Sequence, residues 1–279
     1  MKFSVVIPVY KNEESIPRLL HALSGVNQAL GGEMEAVFVV DGSPELLAHS
    51  RNFGSFPAIR TGLIAAKGDY FGVMAADLQE PPELLVEFFT ALASDECDVA
   101  IGTRNGRNDP LLSRCASTIF WKLYRRLVVR DMPEGGVDVF GCNMVFRNQL
   151  LLLEESRSSL IALIFWLGFR RKLVGYERRA RQEGKSAWTR RKKIDYMLDS
   201  IFAFTDYPIR LLIRLGTMGT LLSVFLGLIV LVARLSGAIA LPGYAATMLA
   251  VLALGALNLL GLGLVGSYAW RGYENSKQR

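Results

Sequence analysis

The stretch Tyr70-Phe-Gly-Val-Met-Ala-Ala-Asp77-Leu-Gln79-Glu80-Pro-Pro82 decides the fold of this chain of 279 residues. Residues 70–75 form a short apolar run, which predicts a buried strand. Asp77 and Gln79 follow the strand directly, and residues 82–93 predict a helix. A buried strand that leads through a polar turn into a helix is the repeating unit of a parallel α/β sheet.

The same unit recurs on both sides of this stretch. Residues 3–9, 36–40 and 99–102 predict further buried strands, and residues 14–30 and 55–67 predict helices. The alternation indicates a doubly wound, mostly parallel α/β sheet. Ligands of such sheets bind beyond the carboxyl ends of the strands, which is where Asp41, Asp77 and Arg104 stand.

One connection is too short for this pattern. Residues 46–49 look like a third strand, yet only Gly42–Glu45 separate them from the second. A parallel crossover needs about a dozen residues or more. Either the third strand is not parallel to the second, or a segment is missing between Glu45 and Leu46, and the second alternative is favoured.

Composition restricts the kind of metal site. Cys97, Cys115 and Cys142 lie far apart, and His21 and His49 are the only histidines. Disulfides and zinc are therefore not expected, and a reducing compartment fits. Any metal would be held by oxygen ligands, as Mg²⁺ or Mn²⁺ is.

Positive charge is concentrated in one segment. Residues 170–193 contain eleven Lys or Arg and two acids, a balance of +9 within a total of +6, so the rest of the chain carries about −3. The segment could bind a phosphate group or anionic lipid. No nucleic-acid partner is expected, and a homo-oligomer is left open.

Two uncharged stretches near the end, residues 215–233 and 245–270, have the length of membrane spans, with a buried helical hairpin as the alternative. No signal peptide is expected at the start. Basic residues flank the pair, so the positive-inside rule predicts that both termini lie in the cytoplasm. The predicted layout is a catalytic domain at 1–190, interfacial amphipathic helices at 191–213, a transmembrane hairpin at 214–270 and a tail at 271–279.

The predicted interfacial helix rests on an apolar stripe at helical spacing, with an ordinary core-facing helix as the alternative. The stripe consists of Ile194, Met197, Leu198, Ile201 and Phe202.

Asp77 and Gln79 are candidate ligands for a metal that neutralises a diphosphate. Gln79 could instead contact a phosphate oxygen or a metal-bound water. A lone Asp after a strand is often a helix cap, which is the alternative for Asp77.

The motifs together resemble family 2 glycosyltransferases of the GT-A (Rossmann-like) fold, and most closely polyprenyl-phosphate glycosyltransferases and dolichyl-phosphate mannose synthases. They follow the family order along nearly the whole chain: V-V-I-P-V-Y at 5–10, V-D-G-S at 40–43, S-R-N-F-G at 50–54, A-D-L-Q-E-P-P at 76–82, G-T-R at 102–104 and R-x-x-G-x-S at 181–186.

The resemblance implies roles for individual residues. It makes Asp77 the metal ligand and places Ala76 and Gln79 along the diphosphate. It also implies that Arg104 and Arg181 bind phosphates, because one guanidinium can bind two phosphate oxygens at once. The residues implied for the nucleotide-sugar are Pro8, Tyr10, Glu13, Val39, Asp41, Ala76, Gln79, Arg104 and Arg181.

The acceptor side follows from the same resemblance. Asp138 falls where relatives carry a catalytic aspartate, although a cap or turn Asp is the alternative. A lipid phosphate is already anionic, so Asp138 could orient it rather than act as a base. Lys185, Lys192 and Lys193 are candidates for the acceptor phosphate or lipid headgroup.

The chain departs from the family at Ala75, where relatives carry the first acid of D-x-D, and at Val40, the first acid of D-D-G-S. Ala187 replaces a lysine that is common in relatives. These changes leave the metal affinity and the nucleotide open.

The prediction is an inverting, metal-dependent transfer of a sugar from a UDP- or GDP-sugar to a polyprenyl phosphate at the cytoplasmic face of the inner membrane. The alternatives are a processive polysaccharide synthase and a non-catalytic membrane scaffold.

Overall fold

The computed structural model describes residues 2–10, 12–41, 48–49, 53–105, 121–122, 124–126, 128–133, 136–153, 159–179, 190–205, 207–236 and 244–276. The described residues up to Met197 form one compact unit, and those from Leu198 onward form a second.

The first unit is built on a seven-stranded sheet with the order β3-β2-β1-β4-β6-β5-β7. Every neighbouring pair is parallel except the two that involve β6. The strands are β1 (Phe3–Val9), β2 (Met34–Asp41), β3 (Ala48–His49), β4 (Tyr70–Val73), β5 (Val99–Arg104), β6 (Phe140–Asn143) and β7 (Arg171–Tyr176).

The part of the chain that the structure describes also contains eight α-helices. They are α1 (Ile16–Ala29), α2 (Ser55–Ala65), α3 (Leu84–Ala93), α4 (Met144–Leu152), α5 (Leu160–Trp166), α6 (Arg190–Phe204), α7 (Tyr207–Leu235) and α8 (Tyr244–Ser276). The predicted mostly parallel α/β sheet is confirmed, and the first three predicted helices form with ends shifted by a few residues.

The core explains why these segments form a sheet. Val5, Val6 and Ile7 in β1 are fully buried, as expected for a parallel strand covered on both faces. α3 packs directly on β4, because a Cβ on Gly72 would lie 2.8 Å from the Cδ2 atom of Leu85. This close approach fixes the turn between β4 and α3, in which Asp77 lies.

β6 was not predicted, and it runs against the rest of the sheet. It separates β4 from β5 and pairs with both, with Val73 opposite Phe140 and Val99 opposite Cys142. Its antiparallel direction brings the residues that precede it, including Asp138, to the edge where the parallel strands end. Asn143 closes the strand, and its side chain accepts a hydrogen bond from the Phe146 N–H at the start of α4.

The short third strand is parallel to β2, with Val40 opposite Ala48 and Asp41 opposite His49. The alternative that it is not parallel is therefore wrong. Residues 42–47 lie outside the described part of the chain, and the prediction of a missing segment stays a prediction.

The second unit contains α7 and α8, which coincide with the two predicted spans. Among the residues that the structure describes, no helix has a stretch that is both long enough and apolar enough to cross a membrane. The predicted transmembrane hairpin is therefore not supported. α7 and α8 nonetheless expose many large apolar side chains, including Met218, Leu221, Phe225, Leu262 and Val265.

The part of α6 up to Met197 belongs to the first unit, and Tyr196 packs within that unit. The hydroxyl groups of Tyr196 and Ser159 are 2.6 Å apart, and the Tyr196 ring stacks on Tyr124 with centroids 5.9 Å apart. Of the predicted interfacial stripe, Leu198 is exposed. Met197, Ile201 and Phe202 are partly covered, so the stripe is not a fully open face.

Candidate active site

The polar residues of the site converge where the parallel strands end. Arg104 is the last residue of β5, Tyr176 the last of β7, and Asp77 lies in the turn after β4. Asp138 reaches the same edge from the opposite direction, two residues before β6 begins. The sheet thus brings together residues that are up to 99 positions apart in sequence.

Asp138 is held by two neighbouring side chains. Its Oδ2 atom accepts hydrogen bonds from Arg104, through Nε at 2.6 Å and through Nη2, and from the Tyr176 hydroxyl at 3.2 Å. The loop reaches this position because Gly136 has a φ of 80° and its Cα lies against Trp121, where a Cβ would be 2.2 Å from the ring. Asp138 is thus a fixed acceptor rather than an isolated carboxylate.

The protonation of this network follows from its surroundings. Burial opposes the charge on Arg104, but Asp138 and Tyr176 together favour it, and the pKa of Arg104 is raised. Burial, together with the charge of Asp138, also raises the pKa of Tyr176. Arg104 therefore stays cationic and Tyr176 stays protonated, so both donate to Asp138.

The turn that carries Asp77 has a strained backbone and is held by a hydrogen bond between two of its own residues. The Gln79 N–H donates to the Asp77 Oδ1 atom at 3.3 Å, and Leu78 between them has a φ of 53°, a left-handed conformation that a branched side chain rarely adopts. The Ser15 hydroxyl donates to the Ala76 carbonyl at 2.8 Å and ties this turn to the loop after β1.

Asp77 does not cap the following helix. α3 begins at Leu84 and its N-cap residue is Glu83, so Asp77 lies too far upstream to accept from the first turn. The helix-cap alternative for Asp77 is therefore wrong.

Glu80 is the buried acid of the site. Its side chain is 1% exposed, and its Oε2 atom has no hydrogen-bond partner among the described residues. Burial, followed by the charges of Asp138 and Asp77, raises its pKa to about 7, against the attraction of Arg178 and Arg104.

The residues in this turn do not fit a divalent cation with two protein ligands. Asp77 offers one carboxylate, but the Oε1 atom of Gln79 already accepts a hydrogen bond from Arg178 Nη2 at 2.7 Å. Ala75 stands where a second acid would be, and within the described ranges no three acidic, His or Cys side chains are grouped to hold a metal.

Several predicted donor residues can be located. Pro8 lies in β1, and Tyr10 follows that strand with 39% of its surface exposed. Val39 is fully buried, and its side chain would be 3.0 Å from a Cβ on Gly62 of α2, so only its backbone could reach a base.

Other predictions fall outside what the structure describes. Arg181 and Lys185 lie in the stretch 180–189, which is not described. Asp41 ends β2, Glu13 lies in a single 3₁₀ turn, and Lys192 and Lys193 lie in α6, but their side chains are not described.

The start of the basic segment is matched by acids of the same unit, which the count of charges did not reveal. Arg170 forms ion pairs with Asp95 and Asp98, and four further basic residues each form an ion pair with one acid. They are Arg171 with Asp131, Lys172 with Glu96, Arg178 with Glu80 and Arg179 with Glu83. The positive charges of this part of the segment are therefore balanced by acidic side chains of the first unit.

Sequence reasoning missed Glu80, Tyr176 and Arg178. Glu80 stands inside the A-D-L-Q-E-P-P motif, which was a usable signal. Tyr176 and Arg178 gave no local signal, because only the pairing of β7 with β5 places Tyr176 opposite Arg104 and brings Arg178 to Gln79 and Glu80.

The chain is similar to known glycosyltransferases. Residues 45–152 match the family described as glycosyl transferase family 2. "Putative glycosyltransferase CsbB" of Bacillus subtilis (strain 168) is 30% identical over 293 residues, covering 99% of this chain and 89% of that protein. "Bactoprenol glucosyl transferase" of Shigella phage SfV is 28% identical over 300 residues, covering 100% of this chain and 96% of that protein.

Solved structures give weaker matches. The glucosyl-3-phosphoglycerate synthase from Mycobacterium tuberculosis, in complex with Mn²⁺, UDP-glucose and phosphoglyceric acid, has 14% identity and a TM-score of 0.48. The match covers 72% of this chain and 77% of that one. S. aureus TarS 1–349 in complex with UDP-GlcNAc has 19% identity and a TM-score of 0.42, over 68% of this chain and 62% of that one.

Proposed function

The chain belongs to glycosyl transferase family 2, and on that premise we propose that it transfers a sugar from a nucleotide-sugar to a polyprenyl phosphate. The observation that carries the proposal is the network of Arg104, Asp138 and Tyr176 beside the Asp77 turn, at the edge of the sheet where ligands bind. The acceptor class is supported by the relative named bactoprenol glucosyl transferase, which matches over the full length of this chain.

In the proposed reaction an acceptor phosphate oxygen attacks the anomeric carbon of the sugar. The bond from that carbon to the donor diphosphate breaks, its electron pair leaves with the nucleoside diphosphate, and a direct displacement inverts the configuration at that carbon. The attacking oxygen already carries negative charge, so the step needs no general base.

Asp138 therefore has an orienting role in this proposal. Arg104 and Tyr176 fix its Oδ2 atom, and a carboxylate held in this way can accept hydrogen bonds from sugar hydroxyl groups. The predicted Mg²⁺ or Mn²⁺ is not given a step, because the described residues contain no group of three acidic, His or Cys side chains that could hold it, and the Gln79 oxygen beside Asp77 already accepts a hydrogen bond from Arg178.

The place of action is proposed to be the cytoplasmic membrane surface, with the catalytic unit in the cytoplasm. Two observations support attachment through the C-terminal helices: the lipid nature of the acceptor class, and the large apolar side chains that α7 and α8 expose. Washing membranes with alkaline carbonate separates the possibilities, since a surface-bound protein is released and a spanning protein is retained. Full recovery of untreated protein in the soluble fraction would refute membrane attachment.

The decisive test of function uses the purified full chain with undecaprenyl phosphate and a panel of UDP- and GDP-sugars. We expect one donor to yield a glycosylated lipid phosphate of inverted configuration, detected by mass spectrometry and NMR. Asp138→Asn should lower the rate by about 10² or more, because it removes the charge of the carboxylate that Arg104 and Tyr176 hold in place and replaces one of its two acceptor oxygens by a donor. If no donor gives product, the scaffold alternative is favoured, and a polymeric product would favour the polysaccharide synthase.

A further inference from the structure

Arg178 lies two residues beyond the end of β7 and reaches across to the turn after β4. Its Nη2 atom donates to Gln79 Oε1 at 2.7 Å, and its Nε atom lies 3.6 Å from Glu80 Oε1. The second distance is that of an ion pair and is too long for a hydrogen bond. One guanidinium thus spans two consecutive residues of the A-D-L-Q-E-P-P motif.

The surroundings hold Arg178 without covering it. Glu80 lies beneath it and is 1% exposed, whereas the Arg178 side chain is 34% exposed. A buried carboxylate under a partly open guanidinium fixes the orientation of the cation. The planar group has five N–H donors, and the two contacts with Gln79 and Glu80 leave part of it facing outward.

The two neighbouring arginines are placed differently. Arg104 is 13% exposed and directs its Nε and Nη2 atoms at Asp138. Arg179 turns to Glu83 at 3.4 Å, and both side chains of that pair are more than half exposed. The Arg179 backbone N–H also donates to the Gln79 carbonyl at 2.9 Å, but its guanidinium points to Glu83. Of the three, Arg178 is the one whose guanidinium both contacts side chains of the Asp77 turn and is partly exposed.

We propose that Arg178 binds the diphosphate of the donor and supplies there the positive charge that a second metal-ligating carboxylate would otherwise recruit. The proposal rests on the proposed function, since it requires a nucleoside diphosphate in this site. Ala75 removes that carboxylate, and Arg178 occupies the Gln79 oxygen that would be the other ligand. A guanidinium binds two phosphate oxygens at once and needs no metal to do so. Nucleotide binding should therefore persist when divalent metal is removed.

The test is isothermal titration calorimetry of the full chain with UDP and with GDP, in EDTA and then in Mg²⁺. The wild type should bind one nucleotide in EDTA, with an affinity within about threefold of that in Mg²⁺. Arg178→Gln should weaken binding in EDTA by more than about tenfold, the loss expected for a charge-assisted pair. Arg178→Lys keeps the charge but not the planar pair of donors, so it should fall between the two.

Arg179→Gln is the matched control, because it makes the same change one position later in an exposed pair with Glu83. Its affinity should stay within about twofold of wild type. Arg178→Gln also leaves Glu80 buried without its partner, so the double variant Glu80→Gln with Arg178→Gln removes that charge and should bind as weakly as the single variant. Circular dichroism checks that each variant is folded.

The outcomes separate the two proposals. Wild-type affinity in folded Arg178→Gln, or wild-type binding that is lost in EDTA, would overturn the role of Arg178 and leave the sugar transfer standing. Loss of binding in Arg178→Gln without product from any donor would support Arg178 and overturn the transfer. No binding of either nucleotide to the wild type would overturn both.

Discussion

Replacing Glu80 by Gln should make the stability of the protein less sensitive to pH. The pKa of Glu80 rises from 4.5 to about 7 in the folded protein, chiefly because its side chain is buried. A raised pKa means that the folded state holds the proton more tightly than the unfolded state. Ionisation of Glu80 therefore does not affect the free energy of unfolding below the unfolded pKa of 4.5. The wild type loses stability as the pH rises from 4.5 through about 7.

The size of the effect follows from the shift. One pKa unit corresponds to about 1.4 kcal/mol, so the ionised Glu80 costs the fold about 3 kcal/mol above the upper pKa. The free energy of unfolding of Glu80→Gln, relative to wild type, should rise by about 2.5 kcal/mol between about pH 5 and about pH 8.5. A buried amide has its own desolvation cost, but that cost does not change with pH.

The measurement is urea unfolding of the full chain, followed by circular dichroism at several pH values. Glu83→Gln is the matched control, because it makes the same substitution three residues later on an exposed side chain. Its difference from wild type should stay within about 0.5 kcal/mol over the same range. A pH-independent difference for Glu80→Gln would refute the claim that burial of its charge destabilises the fold.

Three further results are expected. Ala75→Asp adds a second carboxylate to the turn, so the ratio of the rate in Mg²⁺ to the rate in EDTA should be several-fold higher for this variant than for wild type. Equal ratios in steady-state assays would contradict this prediction. Asp98→Asn should cost about 1–2 kcal/mol in urea unfolding at neutral pH, because Arg170 hydrogen bonds hold the pKa of Asp98 below its usual value. That loss should shrink as the pH falls through the folded pKa of Asp98, and a constant loss would show another cause. Tyr176→Phe should lower kcat by about three- to tenfold with little change in donor KM, since its hydroxyl orients Asp138, whereas a rise in KM alone would indicate a binding role.

Local sequence patterns were enough for the first half of the sheet. The apolar runs at β1, β2, β4 and β5 and the polar residues after them predicted that these residues meet where the parallel strands end, and Asp77 and Arg104 do lie there. These elements were accessible because a buried parallel strand and the turn that follows it are encoded by neighbouring residues.

The second half of the site depends on contacts that no local pattern contains. β6 has four residues, and its direction is decided by pairing with β4 and β5 on either side. The same holds for Arg178, whose position follows from β7. The count of eleven basic residues suggested a site for a phosphate or anionic lipid. The five of them whose side chains are described pair with acids that lie elsewhere in the sequence, such as Glu80 and Asp98. Burial of Glu80 is likewise a property of the folded chain.

The position of β6 has a consequence for the order of folding during synthesis. β4 and β5 are both made before β6, yet neither pairs with the other, and β6 fills the gap between them. β5 therefore cannot be hydrogen-bonded into the sheet beside β4 until residues 140–143 have left the ribosome. Asp138 arrives with β6 and Tyr176 only later with β7, so the polar edge is completed after both strands have joined the sheet. A nascent chain that stops before β6 exposes one unpaired edge of β4 and both edges of β5.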